Sequence, residues 1–248
     1  MRERIRYRLV FVLILFASTR VTYAACVDAT RLARSAVSIM RHFDDGEHDT
    51  RPDLIGIRGT GSFLSPTTIV TAEHVTAAMK LSTEIWKPLE IVNDGGSQFI
   101  AARIQRLAGA QAEKLAIIEL ERPVANVQSI EIRREPLVSN ELVMTLAYPA
   151  GRPQLVGGRF VRFEEDGGKL AGMALLELYE GDNRLIIDHG ASGAPVVDCQ
   201  GRVAAVVSNV FTQSLGFASR QIRISTAWGM PNVVSVPVQA LEELPQPD

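Results

Sequence analysis

From Arg34 onward, apolar residues come in short runs interrupted by Gly, Asn, Asp and Pro, a rhythm that predicts an antiparallel β protein. Ala36-Val37-Ser38-Ile39-Met40 reads as a first strand. Gly61-Ser62-Phe63-Leu64 and Thr68-Ile69-Val70-Thr71 read as a hairpin around Ser65-Pro66-Thr67, and Asp94-Gly95-Gly96 as a further turn. Strands are also predicted over residues 115–120, 143–147, 159–163, 170–178, 184–187, 194–197 and 203–207. Helical periodicity is confined to Ala72 to Met79 and Val238 to Glu243, while the acidic stretch Asp44 to Asp49 reads as a polar loop. A parallel sheet needs a helix between each pair of successive strands, and only Ala72 to Met79 stands in such a place, so two packed β-barrels in one compact unit are expected.

The first 24 residues stand apart. Arg2, Arg4, Arg6 and Arg8 form a basic segment, Leu9 to Ala17 is an unbroken run of nine apolar residues, and Thr22-Tyr23-Ala24 offers small residues where a signal peptidase reads. A spanning helix needs roughly 20 apolar residues, so residues 1–24 are read as an export signal, and residues 25–248 as the mature domain without a transmembrane segment. The expected product is periplasmic or secreted. The whole chain has 248 residues, 46% hydrophobic and 22% charged, which is a globular composition. Without the leader's five Arg and one Glu, the 26 basic and 28 acidic residues become 21 and 27, a net charge of −6. That balance argues against a nucleic-acid partner.

Cys26 and Cys199 are the only cysteines. In an oxidising compartment two thiols commonly pair, which would join the new N-terminus to the C-terminal half. The alternative is that Tyr23-Ala24-Ala25-Cys26 is a lipoprotein signal and Cys26 carries a lipid anchor, although Tyr23 stands where such signals carry an aliphatic residue. Both readings, and a third in which the two thiols stay unpaired, are open at this point. The spacing of His48 and its neighbouring carboxylates fits no standard ligand pattern, so no metal and no cofactor are expected.

Two local texts carry chemistry. In Ile69-Val70-Thr71-Ala72-Glu73-His74-Val75 an apolar strand runs straight into a histidine. In Asp188-His189-Gly190-Ala191-Ser192-Gly193-Ala194-Pro195 a serine is bracketed by glycines before an apolar strand. A serine hydroxyl is a poor nucleophile at neutral pH and needs a base such as imidazole within hydrogen-bond reach. His74 can take that proton. The glycines allow a tight fold in which the N–H groups of Gly190 and Ser192 converge on an oxyanion, worth roughly 3–4 kcal/mol per donor.

Together, Thr71-Ala72-Glu73-His74 and Gly190-Ala191-Ser192-Gly193-Ala194-Pro195 resemble the chymotrypsin-fold, trypsin-like serine peptidases, in particular their disulfide-poor bacterial branch. Gly59-Thr60-Gly61-Ser62-Phe63, Ala147-Tyr148-Pro149-Ala150-Gly151 and Asp198-Cys199-Gln200-Gly201-Arg202-Val203 support the likeness, which covers residues 34 to 240. It implies an all-β fold of two six-stranded antiparallel barrels with a short C-terminal helix and an active cleft between the barrels. It further implies an endopeptidase acting on polypeptide substrates, with Ser192 as nucleophile and His74 as base. The order His then Ser also excludes the α/β-hydrolase elbow.

The acid departs from the family pattern. Lys114 occupies the position before Leu115-Ala116-Ile117-Ile118 where the family places an aspartate, and Glu113 lies one residue upstream. Neighbours on a regular strand face opposite sides, so Glu113 can orient His74 only where the backbone is bulged or in loop geometry. Three possibilities stay open: Glu113, an acid from elsewhere, or none. Losing the orienting acid can cost about ten-thousandfold in turnover. The second reading is therefore a catalytically impaired pseudo-peptidase that binds peptides, and a third is a hydrolase of non-peptide esters. Ala191 replaces the aspartate that pairs with a newly cut N-terminus in pancreatic-type enzymes, so activation by N-terminal insertion is not expected. By the family's spacing Ile186 forms the base of the substrate pocket and Val206 to Asn209, including Val207 and Ser208, its wall; both are uncharged, which favours small or medium apolar side chains.

Overall fold

The computed structural model describes residues 26–50, 52–105, 114–165, 170–179, 190–210 and 231–241. Helix α1 (Ala29–Ser35) leads into six strands, β1 (Ala36–His42), β2 (Gly56–Ser65), β3 (Thr68–Ala72), β4 (Lys87–Asn93), β5 (Gly96–Gln105) and β6 (Leu115–Leu120). These close a barrel in the order β1-β2-β3-β6-β5-β4. Strands β7 (Leu142–Ala147), β8 (Gln154–Phe163), β9 (Ala174–Tyr179), β10 (Pro195–Val197), β11 (Val203–Val210) and β12 (Val233–Pro237) close a second barrel in the order β10-β11-β12-β9-β8-β7. The named strand pairs are antiparallel throughout. This is the paired-barrel architecture that the resemblance implies.

The remaining helical pieces are short. Helix α2 (Asp45–Thr50) follows β1, α3 (Glu73–Ala78) follows β3, and 3-10 turns occupy Pro149–Gly151 and Val238–Leu241. Three sequence expectations are corrected here. The acidic stretch is a helix, because Asp44 Oδ1 accepts from the Glu47 N–H at 2.9 Å and caps its start. The C-terminal helix is a 3-10 turn as far as Leu241. Strand β9 begins at Ala174, because residues 170–172 are a turn, with the Met173 N–H donating to the Leu170 carbonyl at 2.9 Å. The predicted strand over residues 184–187 lies outside the described residues.

One apolar cluster fills the first barrel and continues into the second through Met144, Leu146, Leu175, Val206, Val234 and Val236. The alternate residues Ala174, Leu176, Leu178, Ala205, Val207 and Val233 form another cluster. Strands β9, β11 and β12 are thus buried on both faces, which explains why Val203 to Val207 reads as a continuous apolar run instead of an alternating one. The barrels share one core, so the loops at their seam are held by packing from both sides.

Cys26 and Cys199 are disulfide-bonded, with their Cα atoms 4.6 Å apart. The bond ties the segment before α1 to the β10–β11 turn. That turn is also built around the buried Asp198, whose carboxylate accepts from the N–H groups of Gln200 and Arg202 at 3.0 and 2.9 Å and from Arg202 Nε at 2.9 Å.

Candidate active site

His74 is the second residue of α3. Strand β3 runs into that helix without a break, Ala72 serving as its N-cap in extended conformation. Val75 anchors the helix to β2: a Cβ on Gly59 would lie 2.4 Å from Val75 Cγ1, so only glycine lets the helix sit this close. The His74 residue is exposed on one side. Partial burial among protein atoms still pulls its imidazole below the ordinary histidine value, and the Glu73 carboxylate opposes that shift. The net effect favours the neutral ring, the form that accepts a proton.

Ser192 sits in a tight turn, closed by the Ala194 N–H donating to the Ala191 carbonyl at 3.0 Å. Two bonds hold the turn to β11: the Gly193 N–H donates to the Val207 carbonyl at 2.7 Å, and the Val207 N–H to the Ala194 carbonyl at 2.8 Å. A third bond crosses the seam, from the Thr60 N–H on β2 to the Ser192 carbonyl at 2.9 Å. Gly193 has φ +89°, and a Cβ there would lie 1.9 Å from the Thr60 carbonyl oxygen and 2.0 Å from Thr71 Oγ1. The turn is therefore pressed directly onto β2 and β3.

Thr60 is the hub of this seam. Its buried hydroxyl donates to the Gly190 carbonyl at 2.6 Å and accepts from the Tyr148 N–H at 3.0 Å, while its own carbonyl accepts from Thr71 Oγ1 at 2.7 Å. One residue joins the serine turn, the turn at Tyr148 and the strand that leads into the helix of His74. Sequence reasoning placed Thr60 within a supporting motif but assigned it no role. A threonine between two glycines on a buried strand is the available signal.

The Ser192 hydroxyl donates to the Ser208 carbonyl at 3.2 Å, a long bond for an O–H donor. Among the described residues nothing is hydrogen-bonded to the His74 ring, and the N–H groups of Gly190 and Ser192 have no acceptor. Ser208 is partly exposed beside Ser192, and the Val207 side chain is buried in the second apolar cluster. Lys114 is partly buried next to Leu115, which pairs with Ala72 at the base of α3. Glu113, Ile186 and His189 lie outside the described residues.

Glu47 accepts from both Arg41 nitrogens at 2.7 and 2.8 Å and from Lys80 Nζ at 2.7 Å, and these cations hold its carboxyl far below the usual carboxylate range.

A family model described as a trypsin-like peptidase domain matches residues 59–206. No curated protein matches the chain. Among solved structures, the inactive form of the Rv3671c protease aligns at 17% identity and a TM-score of 0.54, over 86% of this chain and 87% of that one. Its active form, from M. tuberculosis, aligns at 17% identity and a TM-score of 0.53, over 84% and 77%. The HtrA-type protease AlgW, in a serine-to-alanine variant with a tripeptide, aligns at 14% identity and a TM-score of 0.60, over 89% of this chain and 61% of that one. At these identities the likeness shows the fold.

Proposed function

The chain belongs to the trypsin-like peptidase domain family, and on that premise we propose that it is an exported serine endopeptidase. In this reading Ser192 Oγ attacks the carbonyl carbon of a peptide bond while the neutral imidazole of His74 takes its proton. The N–H groups of Gly190 and Ser192 receive the oxyanion. His74 then returns the proton to the departing amine, and water releases the acyl group from Ser192 by the reverse proton path. Ser208 stands on the acyl side of the cleft, with Ile186 as the pocket base and Glu113 as the orienting acid.

The observation that carries the reading is the seating of the Ser192 turn on β2 and β3 through Thr60, since β3 continues directly into the helix of His74. Rotation of the Ser192 hydroxyl away from the Ser208 carbonyl breaks a single long bond, worth about 1 kcal/mol, so substrate binding can redirect it to His74. The lowered proton affinity of His74 supports its role as base. The disulfide is compatible with export to an oxidising compartment.

A second reading, a peptide-binding pseudo-peptidase, is favoured by Lys114 at the customary acid position and by the Ser192 hydroxyl pointing to Ser208. Incubation of the mature protein with an unfolded polypeptide separates the two. Cleavage that disappears in Ser192→Ala supports the peptidase. Intact polypeptide that remains bound supports the binding module. Lys114→Asp restores a carboxylate at the family position and is expected to raise kcat/KM, whereas Glu113→Gln is expected to lower it.

A further inference from the structure

Alternate residues of a strand share a face, and on β2 the two faces differ. Gly59 and Gly61 press on Val75 and Ile69, whereas Thr60 turns toward Gly190, Tyr148 and Ser192 across the seam. Arg58 lies on the same side as Thr60, about 7 Å further along the strand. Its guanidinium is packed against Gly151: a Cβ there would lie 1.5 Å from Arg58 Nη1, and φ is +77°. Gly151 closes the turn that begins at Tyr148, whose carbonyl oxygen faces Gly190 at 2.8 Å from where a Cβ would stand.

Arg58 is thus built into the wall of the seam beside the serine turn, partly buried, without a carboxylate partner among the described residues. Its hydrogen bond goes from Nη2 to the Met40 thioether at 3.0 Å, and a thioether is a weak acceptor. The carboxylate whose proton affinity it influences, Glu90, is already bonded to Ser97 at 2.6 Å and to His42 at 2.7 Å. A planar cation with open donors favours a carboxylate, which can accept from two nitrogens at once.

The side of the cleft follows from the strands around Ser192. Strand β11 meets the Ser192 hydroxyl through the Ser208 carbonyl, and β2 meets the Ser192 carbonyl through the Thr60 N–H. With the acyl portion of a substrate along β11, the leaving portion passes over β2 toward Arg58. We infer that Arg58 selects polypeptides with an aspartate or glutamate within the first three residues after the cut bond. This rests on the endopeptidase reading for the direction of the chain, although capture of an acidic peptide needs no catalysis.

The test uses one peptide library in two arms. In the first, the wild-type, Arg58→Gln and Arg58→Lys proteins digest the library and the cut sites are mapped by mass spectrometry. In the second, Ser192→Ala protein, with and without Arg58→Gln, is immobilised and the retained peptides are sequenced. The expected result is an enrichment of about tenfold for acidic residues after the cut and among retained peptides, lost in Arg58→Gln and kept in part by Arg58→Lys. The enrichment should also shrink as ionic strength rises. Equal enrichment in wild-type and Arg58→Gln, or none in either arm, overturns the assignment even if cutting is vigorous. Absence of cutting with acidic enrichment among retained peptides removes the catalytic reading and leaves the role of Arg58 standing.

Discussion

Replacing Gly193 by alanine probes the contact on which the site depends. A non-glycine residue at φ +89° costs about 1–2 kcal/mol for its backbone alone. The new Cβ would stand 1.9 Å from the Thr60 carbonyl oxygen and 2.0 Å from Thr71 Oγ1, so the turn must retreat from β2. Overpacking of this kind costs about 1–3 kcal/mol. Retreat also stretches the bond from the Thr60 N–H to the Ser192 carbonyl, worth about 1 kcal/mol. The total is roughly 3–6 kcal/mol, a large share of the ~5–15 kcal/mol that holds a domain together. Gly96→Ala is the matched control, because Gly96 has φ +102° but a Cβ there meets nothing within 4 Å. It should lose only the backbone share, about 1–2 kcal/mol. Equilibrium urea unfolding of both variants, followed by circular dichroism, measures the difference. If the two lose the same stability to within about 0.5 kcal/mol, the turn is not pressed onto β2, and the reasoning that joins Ser192 to the strand of His74 is wrong.

Other consequences are open to direct measurement. Thr60→Val keeps the shape but leaves the Gly190 carbonyl and the Tyr148 N–H without their shared partner, a loss of roughly 2–5 kcal/mol by urea unfolding that Thr60→Ser should largely avoid. Because burial lowers the His74 pKa, the base stays neutral to more acidic pH than an ordinary imidazole. The acid limb of kcat/KM should therefore have its midpoint below 6.5, and a midpoint above it would contradict the desolvated ring. Cys26→Ser removes a crosslink spanning 173 residues, for which loop-closure entropy gives about 5 kcal/mol; a loss under about 1 kcal/mol would show that the N-terminal segment does not restrain the unfolded chain.

Much of the fold was legible because local pattern and burial agree. Strand β6 was readable to the residue, since Leu115 to Ile118 is an apolar run, Glu119 alone interrupts it before Leu120, and Arg122-Pro123 follows. The β4–β5 hairpin was seen only at its turn: Leu89, Ile91 and Asn93 are buried in alternation with Pro88, Glu90 and Val92, but the polar Asn93 on the inner face and the apolar Val92 on the outer one mask the period. Helix α2 carries a capping signature that was overlooked, Asp44 at the cap with Glu47 three residues on, each accepting from the other's N–H. His74 and Ser192 stood out because each sits in a short motif. Thr60 and Arg58 did not, because their partners are remote: Tyr148 and Gly190 lie 88 and 130 residues from Thr60 in the chain. The acid could not be decided for a related reason, since a single-residue shift between Glu113 and Lys114 depends on loop geometry that strand periodicity does not specify.

Covalent labelling shows whether His74 activates Ser192 as a nucleophile. Folded mature protein is treated with a fluorophosphonate, and the modified residue is located by peptide mass mapping. A single adduct on Ser192 is expected, formed quickly at neutral pH, slowed sharply in His74→Ala and absent in Ser192→Ala. Folded protein that acquires no adduct, or labels Ser192 equally fast without His74, would contradict that activation.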